Sequence, residues 1–182
     1  MSLKARRPSG LLLPPFLFAL AAAALLLLML PARAAQPLVL EEFFKGRTVA
    51  EGVFESRIAG VRREFKVYLE GKWDPKTFTL RLREDFVYAD GEKDTKVWFF
   101  QKVGDRRYIG TRSDVLAPTH VTPDGDSLVF SYAAEVPLEN GSIALRFNDR
   151  LTPVDARTVR NTADVVKYGI TVGTVDLTFT RP

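Results

Sequence analysis

The chain of 182 residues contains no cysteine and only one histidine. The missing cysteine excludes disulfides, thiolate zinc sites and thiol nucleophiles together, and with them a lipidated cysteine at the mature amino terminus. The lone His120 lies in a stretch read as a loop from Pro118 to Pro123, and nothing nearby brings it beside a serine and an acid, as a catalytic triad needs. Without a second imidazole or a thiol, only the carboxylates Asp85, Asp90, Glu92 and Asp94 could offer a hard-ion loop, and their spacing around Asp90-Gly91 reads as a hairpin tip. The 12 glycines are scattered, so no glycine-rich phosphate loop is present. No metal and no cofactor is indicated, and no catalytic residue can be named.

Net charge is the next absence. The formal excess is +4, and Lys4, Arg6, Arg7 and Arg33 account for all of it. These four flank an apolar run from Leu11 to Leu30 that ends in Ala32-Arg33-Ala34, a small-x-small pattern cut by signal peptidase. The reading is a signal peptide over 1–34, cleaved near Ala34-Ala35, and a periplasmic mature protein. The alternative is an uncleaved membrane anchor, but Pro14-Pro15 leave only Phe16 to Leu30 uninterrupted, short for a span. The mature chain is formally neutral and has no basic cluster that could track a phosphate backbone, so nucleic acid is not indicated as a partner. Arg62-Arg63 and Arg106-Arg107 read as solvated surface.

From Gly46 onward the rhythm is two. Phe78, Leu80 and Leu82 alternate with Thr79, Arg81 and Arg83; Phe65, Val67 and Leu69 alternate with polar neighbours; so do Leu128, Phe130, Tyr132 and Ala134, then Ile143, Leu145 and Phe147, then Val175, Leu177 and Phe179. Turn dipeptides separate these runs: Asp90-Gly91, Gly104-Asp105, Asn140-Gly141 and Tyr168-Gly169, with Pro123-Asp124-Gly125. About nine strands are predicted, near 48–56, 62–70, 77–88, 94–102, 107–112, 127–136, 142–151, 157–167 and 171–180, preceded over 35–46 by a short helix or lead-in that plugs one end. Short antiparallel strands joined by tight hairpins predict an all-β fold: a single up-and-down barrel of about 8–10 strands over 47–182. Of the 13 phenylalanines, Phe16 and Phe18 lie in the leader; the other 11, with 5 tyrosines and 2 tryptophans, can line a cavity or fill a core.

The same alternation places polar residues on inward faces. Glu84 and Tyr88 continue the face of Leu80 and Leu82; Asp149 continues that of Leu145 and Phe147; Asn161 and Lys167 lie with Val159, Ala163 and Val165. Trp98 adds a ring that can stack on a ligand, although core packing is the commoner use. Buried charge is costly unless paired, so these residues form a structural network, a wet rim or a ligand pocket. Glu84 and Asp85 point to opposite faces and make a poor acid/base pair.

The chain resembles a bacterial family known as domain of unknown function 3833. The resemblance rests on Leu40-Glu41-Glu42-Phe43-Phe44-Lys45-Gly46, on Glu84 to Glu92 with Trp98, on Tyr108-Ile109-Gly110-Thr111 with Asp114, on Phe147-Asn148-Asp149, on Asn161 and on Lys167-Tyr168-Gly169. It implies an envelope protein with a lipocalin-like barrel and no established activity. Many members look like lipoproteins; here Ala34-Ala35 stand where a lipidated cysteine would be, which points to a soluble periplasmic form. The favoured function is binding or carriage of a lipid or other apolar small molecule at Glu84, Tyr88, Trp98, Asp149, Asn161 and Lys167, with peripheral membrane association as a further expected contact. The alternatives are a lipid-modifying enzyme of the same barrel type and a ligand-free structural or stress-related envelope protein.

Overall fold

A computed structural model describes residues 36–138 and 140–182; the leader expected over 1–34 lies outside them. Ten antiparallel strands form a closed barrel in which every strand lies beside its sequence neighbours and the last pairs with the first. They are β1 Gly46–Ser56, β2 Val61–Asp74, β3 Thr79–Tyr88, β4 Lys93–Gly104, β5 Arg107–Thr111, β6 Thr119–Asp124, β7 Ser127–Leu138, β8 Gly141–Pro153, β9 Thr158–Lys167 and β10 Ile170–Thr180. The turn dipeptides sit where the alternation placed them. Gly91, Gly141 and Gly169 take φ values of 87°, 118° and 80°, the left-handed region that tight hairpins require.

One strand differs from the sequence reading. Thr119–Asp124 is β6, not loop. Pro118 and Pro123 hid it, yet proline is tolerated at the margins of a strand. Thr119 and Val121 point in and are buried, while His120 points out into solvent. The pairing here is brief: β5 meets β6 through Tyr108↔Val121, Ile109↔His120 and Gly110↔Thr119.

One end of the barrel, called the lower end, is solid. Val67, Leu69, Leu80, Leu82, Leu128, Val121 and Val159 are each no more than 3% exposed. Over them sits α1, Leu40–Phe44, which buries Leu40, Phe43 and Phe44. Five residues without a side-chain cap do not hold a helix by propensity, so tertiary contacts hold it. Gly71 makes the seat, since a Cβ there would lie 1.8 Å from the Phe44 carbonyl oxygen.

Polar contacts fasten the plug. The buried Tyr108 hydroxyl donates to Glu41 at 2.6 Å and accepts from the Leu40 N–H at 3.2 Å. Lys102 reaches the other Glu41 oxygen at 2.5 Å. Burial pushes the Glu41 carboxyl up, but the hydrogen bonds from Lys102 and Tyr108 together outweigh it and hold Glu41 below the usual carboxylate range. Arg106 corrects the reading of its arginine pair as plain surface. With φ at 50°, it turns its guanidinium onto the carbonyls of Leu38, Gly125, Asp126 and Ser127 at 2.7–3.0 Å. It thereby ties the lead-in to the β6–β7 turn.

Replacing Tyr108 by Phe removes one donor and one acceptor from this buried cluster. Tyr108→Phe is expected to lower stability by about 1–2 kcal/mol in urea unfolding while leaving the β-type circular dichroism unchanged.

Candidate functional site

Away from the plug, the inward positions change character. β3 runs from Leu80 and Leu82 to Glu84, Phe86 and Tyr88, and β4 returns along Asp94, Lys96, Trp98 and Phe100, with Glu84 opposite Lys96 and Leu82 opposite Trp98. Across the barrel, β7 presents Phe130 and Tyr132 opposite Asp149 and Phe147 of β8. The rings form a continuous wall. Tyr132 stacks on Phe147 at 5.2 Å and on Phe130 at 5.8 Å, and takes the edge of Trp98 at 5.2 Å. Trp98 in turn stacks on Phe100 at 5.1 Å. Phe65, Phe86 and Tyr88 make a second group nearer the upper end.

Arg112, directly after β5, turns inward so that its guanidinium lies 4.6 Å from the Trp98 ring centre and 5.3 Å from that of Tyr132. Its Nε donates to Asp114 at 2.5 Å. Lys96 Nζ bridges Asp114 at 2.9 Å and Asp94 at 3.1 Å. Arg112 and Lys96, the chamber's two cations among the described residues, are thus already paired. Burial pushes the Asp114 carboxyl up, but Arg112 and Lys96 outweigh it and hold the group below the usual range.

The two inner acids are less well served. Asp149 accepts from the Asn161 amide at 2.6 Å through Oδ1, while Asp149 Oδ2 and Asn161 Oδ1 are buried without a partner. The Tyr132 hydroxyl lies near this carboxylate without completing a hydrogen bond to Oδ2. Burial pushes Asp149 up to about 6, against the opposing pull of Asn161 and Arg112. Glu84 is pushed by burial to about 7, with Arg112 and Lys96 acting the other way. Glu84 lies deep inside and is part-buried as a residue.

Of the residues singled out by sequence, Glu84, Trp98, Asp149 and Asn161 meet in this cluster. Tyr88 lies towards the upper rim under the Arg63 guanidinium, 3.6 Å from its ring centre. Arg63 also binds Asp90, so it too is more than solvated surface. Lys167 is separate: its Nζ donates to the Ala144 carbonyl at 2.9 Å and lies over Tyr168. Alternation carried Lys167 inward on paper, but it is the last residue of β9 and reaches along the rim instead. Lys96, Arg112, Asp114 and Tyr132 escaped the sequence reading as polar members of the site. Lys96 was legible, being two residues before Trp98 on the same face; Arg112 was not, because the chain leaves its strand there. Asp85 points outward, where it binds Arg83 and Thr95. Two surface grooves lie outside the wall. The larger of the two, about 690 Å³ over β6–β10, is lined by outward side chains such as His120, Arg150 and Asp164, and also borders Phe130 and Asp149 of the cluster.

Because Glu84 and Asp149 hold protons more tightly in the folded chain, stability is complete below the usual carboxylate range and is lost as pH rises through 6 to 7. Carboxylates held low, such as Asp114 and Glu41, act only at more acidic pH. The urea midpoint is therefore expected to fall between pH 5 and pH 8. Glu84→Gln should flatten that slope and gain roughly 2–3 kcal/mol at pH 8. A midpoint that stays level in the native chain contradicts the assignment.

Among solved structures, the chain is similar to the S-type phycobiliprotein lyase from Guillardia theta, with a TM-score of 0.55 and 16% identity over 80% of this chain and 93% of that one. It is also similar to a de novo designed fluorescence-activating β-barrel, with a TM-score of 0.42 and 13% identity over 80% of this chain and 99% of the design. The first likeness establishes the shared lipocalin-like barrel. A search of curated proteins finds no match. The sequence matches the family described as "Protein of unknown function (DUF3833)" over residues 19–181, nearly its whole length, and the chain belongs to that family.

Proposed function

We propose that this is an exported envelope protein that holds a lipid or other apolar small molecule in the upper part of its barrel. The observation that carries this reading is the contrast between the two halves. The lower half is packed solid, with Val67, Leu80, Leu128, Val121 and Val159 at 0–1% exposure and Phe43, Phe44, Tyr108 and Phe179 at 1–7%. The upper half is walled by Phe65, Phe86, Tyr88, Phe130, Tyr132 and Phe147, all pointing inward and all retaining accessible surface. Aromatic walls with a few placed polar groups are what small-molecule sites are made of. The phycobiliprotein lyase supports the reading as an example of this barrel in a protein named for acting on a partner.

The rim adds support for contact with a membrane. Ile58, Tyr168 and Ile170 are 72%, 91% and 62% exposed on neighbouring hairpins at the upper end, and Leu138 is 57% exposed on another. Exposed apolar tips of this kind mark an interaction surface. A lipid-modifying enzyme would use Glu84, Tyr88, Asp149 or Lys167 as a proton-transfer group; Lys167 is engaged at the rim and Tyr88 lies under Arg63, which leaves Glu84 and Asp149 for that role.

Native mass spectrometry of the protein released from its own envelope without detergent is expected to show a chain starting near Ala35 that carries one apolar molecule. A detergent-dependent chain with its leader intact would refute export as a soluble form. A bare chain that also fails to take up N-phenyl-1-naphthylamine would refute the ligand.

A further inference from the structure

Resting on the ligand-holding reading above, we propose that the interior site recognises its ligand through a hydrogen-bond donor on an otherwise apolar molecule, a hydroxyl, amide N–H or amine, and not through a carboxylate or phosphate head group.

Two free acceptors carry this inference. Asp149 and Asn161 are 7% and 8% exposed, and each keeps one buried oxygen, Oδ2 and Oδ1, with no partner. They flank the single 2.6 Å hydrogen bond that joins the two side chains, so both lie at one place on the inner wall of β8 and β9. Buried oxygens left unpartnered are costly, and folded proteins leave few of them. Turning the Asn161 amide over would set its oxygen against the Asp149 carboxylate, so the orientation with Oδ1 free is the one the pair enforces. The Tyr132 hydroxyl lies beside the carboxylate yet leaves Asp149 Oδ2 and Asn161 Oδ1 without a partner, so the place still takes a further donor.

The cations point the same way. An anionic head group needs a free positive partner, and the two cations of the chamber are committed. Lys96 is held between Asp94 and Asp114, while Arg112 is bonded to Asp114 and lies over the Trp98 and Tyr132 rings. Deep in the chamber an anion would lie beside Glu84 and Asp149 and would find Lys96 and Arg112 already held by acids. A donor entering would satisfy the free oxygens and lay its apolar body against Phe130, Tyr132 and Phe147.

The test uses chain-matched competitors at pH 7.5 against N-phenyl-1-naphthylamine, a probe with two aromatic ring systems and one N–H. 1-Dodecanol and dodecylamine are expected to displace it at concentrations about tenfold or more below dodecanoate, the discrimination that one hydrogen bond to a buried acceptor supplies. Asn161→Leu and Asp149→Leu, each checked for an unchanged circular dichroism spectrum, are expected to bring the three competitors within about threefold of one another. Displacement by dodecanoate at or below the dodecanol concentration in the native chain overturns the inference and leaves the ligand-holding reading standing. Failure of the probe and of every competitor to bind, followed as added mass, overturns both. Because the native-chain series needs no substitution, a variant that fails to fold leaves the test decisive.

Discussion

Closure of the barrel through β1 and β10 is the constraint on which everything else depends. The pairing runs from Val49↔Thr180 to Glu55↔Thr174 and leaves no open sheet edge. It also fixes the circumference at ten strands. Eight strands make an interior just wide enough for side chains to fill, and a wider ring needs more. At the lower end the extra width is met by α1, inserted from outside the sheet. At the upper end it is met by aromatic rings and by the polar cluster around Arg112. The plug and the site are two answers to one geometric demand.

That polar cluster is balanced unevenly, and the imbalance gives it its character. Arg112 and Lys96 are paired with Asp114 and Asp94, an arrangement that tolerates burial because each charge has a near opposite. Glu84 and Asp149 have no such partner and answer by taking up protons near neutrality. The interior therefore holds a fixed ionic half and a titratable half. The titratable half lies against the ring wall.

Most of the architecture was legible because it rests on local chemistry. Leu80, Leu82 and Glu84 alternate without a break, and Asn140-Gly141 or Tyr168-Gly169 can hardly be anything but a tight turn. β6 was lost because Pro118 and Pro123 signal loop while Thr119 and Val121 give too short a run to set against them. The site was partly legible for the same reason: alternation places Glu84, Asp149 and Asn161 inside. It cannot place Arg112, which lies just beyond its strand, or Arg106, whose partner Leu38 is 68 residues away. Lys167 shows the opposite failure, a face extrapolated to a strand's last residue, where the chain no longer constrains the side chain. Long-range partners decide such positions, and they leave no local trace.

The brevity of the β5–β6 pairing has a dynamic consequence. Hydrogen-bonded ladders open in cooperative pieces, and short ones open at lower free energy than long ones. β7 and β8 are joined along their length from Leu128↔Leu151 to Leu138↔Gly141, whereas β5 and β6 share only three residue pairs. Amide protons that bridge β5 and β6 should therefore exchange with solvent ahead of those that bridge β7 and β8. Arg112 and Asp114 hang from the end of this seam. β6 and β7 likewise share three pairs, so the weakly laddered part of the wall lies on both sides of β6, next to the ionic half of the interior.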